Sequence, residues 1–155
     1  MGMTQRIGKF SGPNRFLSNF WPCSVTLGSV TYPSAEHGFQ ASKTLDGGAR
    51  LAIAGLASPG EAKRAGRRLQ LRPDWEASRK RVMLLTVLGK FIQNPELARQ
   101  LVATEDALLV EGNTWHDNYW GSCTCPDCGA GDLDNGENWL GRILMFVRDI
   151  LRQDG

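Results

Sequence analysis

Apolar residues recur at helical spacing in two long stretches of the chain. Toward the end, Leu140, Ile143, Leu144, Val147 and Leu151 line one face, which predicts an amphipathic helix over residues 138–151. Further upstream Val82, Leu85, Leu88 and Phe91 or Ile92 recur with the same period, in a helix opened by Pro73-Asp74. Ser58-Pro59-Gly60-Glu61 combines an N-cap serine, a first-turn proline and a glutamate three residues on, so another helix starts there and ends near Leu69. Asn94-Pro95 caps a short helix running through Leu101. The clearest strand pattern is Ser24-Val25-Thr26-Leu27, a turn at Gly28-Ser29, then Val30-Thr31-Tyr32, which reads as a hairpin. Pro33-Ser34 is expected to stop its second strand. Ser34 then caps a helix running to about Thr44, where Asp46-Gly47-Gly48 acts as a breaker. Residues 107–110 suit a short strand. These elements predict an α+β fold, predominantly helical, in a single compact domain over residues 1–155 with a small N-terminal β-hairpin.

Composition narrows the class. With 41% apolar and 22% charged residues in 155, the chain has an ordinary globular balance, which excludes disorder. A domain of this size buries roughly two thirds of its unfolded surface, enough for a core without staples. The formal charge of +2 is too small for a dedicated nucleic-acid scaffold but compatible with a nucleotide ligand. No apolar run is long enough to span a bilayer, no charged-then-apolar leader opens the chain, and Arg6 stands where a myristoylation signal needs Ser or Thr. The expectation is a cytoplasmic protein with no membrane association and no obligate protein partner. Its four cysteines should then be thiols or metal ligands rather than disulfides.

Two segments carry candidate chemistry. Glu36, Gln40 and Lys43 fall at i, i+4 and i+7 of the helix opened by Ser34, so they share one face. Glu36 and Lys43 would stand about 10 Å apart along the axis, too far for an ion pair but able to flank one ligand. The alternative is a face simply in water. Against that, Phe39 is the only large apolar side chain on this helix, and Glu36 sits in its first turn, where negative charge is stabilised.

The second segment lies in the long irregular stretch of residues 111–137. Asn113-Thr114-Trp115-His116-Asp117-Asn118-Tyr119-Trp120-Gly121 alternates side chains that stack on bases with side chains that hydrogen-bond to hydroxyls and amides. The competing reading is a capped loop whose tryptophans complete the core. Just beyond, Cys123, Cys125 and Cys128 form C-x-C-x2-C. The Cys125–Cys128 spacing suits a zinc knuckle, but Cys123 is unusually close, and a fourth ligand would have to come from Cys23, His116 or Asp127. The expectation is therefore unligated thiols on a surface loop and no cofactor for catalysis, with a structural zinc as the alternative. The arginine- and lysine-rich runs at 64–72 and 79–81 read as solvated faces. Trp75, in the first turn of the longest helix, is either a staple or a stacking platform.

Taken together, three blocks of the sequence resemble the NADAR family, also called YbiA-like proteins. The first is Phe16-Leu17-Ser18-Asn19-Phe20, the second Tyr32-Pro33-Ser34-Ala35-Glu36-His37-Gly38-Phe39-Gln40-Ala41-Ser42-Lys43. The third is Asn118-Tyr119-Trp120-Gly121 followed by Gly136-Glu137-Asn138-Trp139-Leu140-Gly141-Arg142-Ile143-Leu144-Met145. The resemblance covers nearly the whole chain; the cysteine-bearing insertion between Gly121 and Gly136 is its main departure. It implies an N-glycosidase that removes ADP-ribose from guanine bases, presented as a nucleotide or on DNA or RNA. Its alternative substrates are ribosylated aminopyrimidine phosphates of the riboflavin pathway. Carried over by motif, Glu36 is the acid, Lys43 the helix lysine, Trp75 the stacking tryptophan and Asp117 the second acid. Asn19, Phe20, His37, Gln40, Asn118, Trp120, Gly121 and Asn138 are the further substrate-binding candidates.

The chemistry of such a reaction suits these residue types. Breaking a ribose C–N bond builds oxocarbenium character, which an ionised Glu36 would stabilise. Trp75 or Trp120 would stack the leaving base, and His37 or Asp117 would manage the proton. Lys43 would either hold a phosphate or attack the anomeric carbon as a neutral amine, the route favoured here. Two readings of other classes are a non-catalytic binder of NAD or ADP-ribose and a zinc-stabilised interaction module.

Overall fold

A computed structural model describes residues 2–155. The described residues form an α+β fold dominated by helices, with three two-stranded sheets. None of its helices is long and apolar enough to cross a membrane. The chain divides into two compact units, one made of residues 19–96 and the other of residues 1–18 with 97–155.

The unit of residues 19–96 is built round a hairpin. Strands β2 (Pro22–Leu27) and β3 (Val30–Ser34) pair antiparallel, with Val25 opposite Tyr32 and Leu27 opposite Val30, and Gly28 takes the left-handed turn conformation at φ 62°. Here β3 does not stop at Pro33. It runs on to Ser34, which pairs with Pro22, because a two-stranded sheet has an outer edge where the missing proline N–H is not needed. Helix α1 (Ala35–Ala41) follows at once. The Ser34 hydroxyl accepts from the backbone N–H of His37, as expected of an N-cap.

That helix is shorter than the sequence pattern predicts, ending at Ala41 rather than near Thr44. Lys43 and Thr44 continue it as a tightened turn, their N–H groups donating three residues back to Gln40 and Ala41. The supposed breaker at Asp46-Gly47-Gly48 instead starts α2 (Gly47–Ala54). The Asp46 carboxylate accepts from the Ala49 N–H at 3.0 Å, so a strong cap outweighs two glycines in a first turn whose N–H groups lack helical partners anyway. Helix α3 (Pro59–Gly66) carries the complete capping box of Ser58 and Glu61.

Helix α4 (Trp75–Gln93) buries a different stripe from the one expected. Met83, Thr86, Val87, Lys90 and Phe91 face inward, whereas Leu85 and Ile92 are more than half exposed. The inward face is offset by one residue, roughly 100° of helix. Gln93 and Asn94 bond to the backbone of Thr26 and Ser24, which sets how α4 lies on β2, and the Thr86 hydroxyl is satisfied by the Val82 carbonyl. Tyr32, Ala41, Ile53 and Ala62 form a core cluster with Leu27, Leu56 and Leu69 packed round it. Because α1 touches β2, β3, α2, α3 and α4, all seven of its residues are buried. It has no solvated face.

The other unit holds α6 (Trp139–Gln153), whose predicted stripe is buried at Leu140, Ile143, Leu144 and Val147 and half-buried at Leu151, together with the end of α5 (Pro95–Val102). Arg148 is buried there as well, donating to Thr104 and the Ala107 carbonyl. The strand expected at 107–110 is β4 (Leu108–Leu109), paired in parallel with β1 (Arg6–Ile7), which the pattern did not predict. Inside the long irregular stretch, β5 (Gly112–Asn113) pairs in parallel with β6 (Ser122–Cys123).

Candidate active site

In the unit of residues 19–96, α1 presents Glu36 and Gln40 one turn apart on a face that never meets water. Both are over nine-tenths buried, and the Gln40 amide donates to a Glu36 carboxylate oxygen at 2.8 Å. The Glu36 backbone N–H, in the first turn and without a helical partner, donates to the Asn19 carbonyl at 2.9 Å. Among the described residues, two buried acceptors have no hydrogen-bond partner: the side-chain oxygens of Asn19 and Gln40. Buried acceptors are seldom left unpaired, which sets these two oxygens apart from the rest of the core. Gly66 of α3 makes room for Gln40, since a Cβ there would overlap its amide oxygen.

Lys43 completes the group. Its ammonium lies 5.7 Å from the centroid of the Phe39 ring and 6.0 Å from that of Trp75, and these rings meet at 5.4 Å, tilted by 54°. Desolvation among these groups lowers the lysine pKa below its ordinary value; the Glu36 charge opposes that shift, while Arg67 and Lys63 reinforce it. The Lys43 carbonyl is held by the Arg72 N–H at 2.7 Å. Trp75 is 7% exposed, so in this conformation it wedges against Phe39 instead of offering an open stacking face.

His37 is placed differently. It is 1% exposed, with Nδ1 2.6 Å from the Ser34 hydroxyl and Nε2 3.0 Å from the Leu56 carbonyl. Burial pushes its pKa down. In the neutral ring Nε2–H donates to Leu56 and Nδ1 accepts from Ser34, so both nitrogens are occupied in tying α1 to the segment before α3. Phe20 is 41% exposed. A groove of about 460 Å³ on this unit is lined by Leu27, Ser42, Arg72, Thr86 and neighbours, and by none of Asn19, Glu36, Gln40, Lys43 or Trp75.

In the other unit, the loop of residues 113–121 is organised by its own polar side chains. Asp117 accepts from the backbone N–H groups of Tyr119 and Trp120 at 3.1 and 2.9 Å. Asn113, buried, accepts from Trp115 and Asp117 and donates to the Asp117 carbonyl. The Asn118 amide oxygen accepts from the Cys123 N–H, and Trp120 stands edge-on to Tyr119 at 4.7 Å. Gly121 is required by close approach, because a Cβ would meet the Glu111 carbonyl. Asn138 adopts φ 54° and bridges the Glu111 N–H and the Leu109 carbonyl, anchoring the start of α6. Asn118 and Asn138 therefore use their side chains to build the loop. Asn113, named from sequence only as the start of this segment, is its central anchor; an asparagine two and four residues before Trp115 and Asp117 is the signal for such a turn.

Fold and site define the class: an α+β protein with a buried carboxylate and amide on one short helix and a half-buried lysine in the turn that follows it. Its structure matches the NMR structure of Escherichia coli YbiA with a TM-score of 0.80 and 36% identity, covering 99% of this chain and 89% of that one. The NADAR domain family model matches residues 8–152, and the chain belongs to that family. Over 136 residues it is 40% identical to the N-glycosidase YbiA of Escherichia coli (strain K12), covering 86% of this chain and 79% of YbiA. Over 140 residues it is 41% identical to a riboflavin biosynthesis protein of Vibrio vulnificus (strain YJ016), covering 89% of this chain but only 36% of that longer relative. By its similarity to YbiA the chain is an enzyme of the N-glycosidase type, which sets aside the non-catalytic binder.

Proposed function

We propose that this chain is a cytoplasmic hydrolase that breaks the bond between C1′ of ribose and a base nitrogen, with guanine-linked ADP-ribose as substrate. The reading rests on one observation: a buried carboxylate, two unpaired amide oxygens and a lysine of lowered pKa occur together round α1. Glu36 faces the positive charge that develops at C1′ as the base departs. The Asn19 and Gln40 oxygens take the ribose hydroxyls, and Lys63 and Arg67 provide positive potential for the diphosphate.

Lys43 acts as nucleophile in its neutral form. Its amine bonds to C1′ while the C1′–N pair leaves on the base, which takes up a proton from water. Loss of the amine proton and opening of the ribose ring then give a Schiff base, and water returns the free sugar and the lysine. Trp75 turns from Phe39 toward the base in this scheme, and Phe20, on the same unit, borders it. His37 holds α1 in place and handles no proton.

A second substrate is favoured by the Vibrio relative's name: a ribosylated aminopyrimidine phosphate. Incubating the protein with ADP-ribosylated guanine DNA and, separately, with the aminopyrimidine nucleotide, and reading free base by chromatography, decides between them. Borohydride trapping with peptide mapping tests the covalent route, and substrate turnover without an adduct at Lys43 would rule that route out.

A further inference from the structure

The insertion between Gly121 and Gly136, which the proposed chemistry does not use, brings three cysteines up to His116 of the loop before it, so that four donors meet at one point. His116 Nδ1 lies 3.3 Å from Cys128 Sγ and 3.4 Å from Cys125 Sγ, and the His116 backbone N–H points at Cys123 Sγ at 3.3 Å. All four ligand atoms fall within 4.8 Å of one another. A tetrahedral zinc with Zn–S about 2.3 Å and Zn–N about 2.0 Å would set S···N edges of roughly 3.5 Å and S···S edges of roughly 3.8 Å. We infer that His116, Cys123, Cys125 and Cys128 form a structural zinc site.

The fold answers the objection raised by the C-x-C spacing. Cys123 ends β6, and the Thr124 N–H continues the pairing to the Asn113 carbonyl, so this stretch is extended. Residues two apart on an extended chain project to the same side, which lets Cys123 and Cys125 share one ion. Beyond them the N–H groups of Cys128, Gly129 and Ala130 all donate to the Cys125 carbonyl, folding the chain into the tight turn that returns Cys128 to His116. The fourth ligand depends on His116 holding φ 67°, a left-handed conformation uncommon for a residue with a side chain. Cys23, a candidate from sequence, is absent from the cluster, and so is Asp127.

Three thiolates and one imidazole in tetrahedral array select zinc over the oxygen-seeking cations. With four protein ligands the site is closed, so its role is structural. It ties residue 116 to residues 123–128, and Asp117 lies next to the first ligand. The ion would thus fix the loop that presents Asp117.

The test uses the full chain expressed with zinc and purified without chelator. Mass spectrometric metal analysis should give one zinc per chain, and exchange with cobalt(II) should give the visible bands and thiolate charge transfer of a tetrahedral sulfur-rich site. Cys125→Ser and His116→Ala should lose the zinc, while Cys23→Ser should keep it. A metal-free protein that also fails to take zinc from a chromogenic indicator would overturn the assignment. So would iron in its place, or a disulfide between Cys125 and Cys128 in zinc-replete protein. The cobalt spectrum needs no variant, so misfolding of a mutant leaves the test intact.

Discussion

The Gln40 amide donates to the Glu36 carboxylate at 2.8 Å, one turn along a helix with no solvated face. That bond fixes the rotamer of the one carboxylate on α1. Replacement by an isosteric amide keeps an acceptor for Gln40 and removes only the charge. Glu36→Gln should therefore fold normally and bind substrate with little change, while turnover falls about 10²- to 10³-fold. Single-turnover rates beside a binding isotherm check this; an unchanged rate would remove Glu36 from the chemistry.

Gly66 governs the same pair from the next helix. A Cβ at this position overlaps the Gln40 amide oxygen, so Gly66→Ala must rotate Gln40 away from Glu36 or shift α3. The expected outcome is a stability loss of about 1–3 kcal/mol, as for other overpacked sites, with a larger fall in turnover than in substrate affinity. Urea unfolding and steady-state kinetics on one preparation separate the two effects. Wild-type turnover in a destabilised variant would show that the Gln40 rotamer is immaterial to catalysis.

Much of this arrangement was legible in the sequence, and the failures have local causes. The i, i+4 relation of Glu36 and Gln40 held because Ser34 is a strong cap and α1 lasts long enough to include both. Lys43 was read onto the same helix, yet it sits in the turn after α1, where Phe39 and Trp75 reach its ammonium. Asp46-Gly47-Gly48 was misjudged because glycine propensity counts against a helix interior, whereas these glycines occupy a capped first turn. The inward face of α4 could not be read from periodicity alone. Its apolar residues cover more than one face, and the choice was made by bonds to β2 some 67 to 70 residues away in sequence. The closeness of Cys123 to Cys125 argued against a metal, because sequence alone does not show that the chain there is extended and turns both side chains to one side.

The lowered pKa of Lys43 predicts how the reaction responds to pH. An amine attacks only when neutral, and desolvation brings that form in at lower pH than for an ordinary lysine. Turnover should rise with pH along a limb set by Lys43 and lying below the usual lysine range. Lys43→Arg keeps the positive charge but stays protonated, so it should lose turnover and the borohydride adduct together. A pH-rate profile unchanged in Lys43→Arg would show that the lysine serves only to bind.

Lys90 offers a test of stability that is independent of the reaction. It is fully buried on α4, its ammonium 5.1 Å from the centroid of the Phe91 ring, and burial lowers its pKa from 10.5 to about 8. In the unfolded chain Lys90 stays protonated up to its ordinary value, so between about pH 8 and 10.5 the unfolded state holds the extra proton. Stability should therefore rise through that interval as the cost of a buried charge disappears, by on the order of 3 kcal/mol for a shift of this size. Cys23 works in the opposite direction, because burial raises its pKa and folding then resists thiolate formation. The measurement is cleanest in a Cys23→Ser background, comparing urea midpoints across the interval with and without Lys90→Met. The lysine-containing protein should gain stability with rising pH relative to the methionine variant. Parallel curves would mean that the folded protein keeps Lys90 protonated through the interval, its charge fully compensated where it lies.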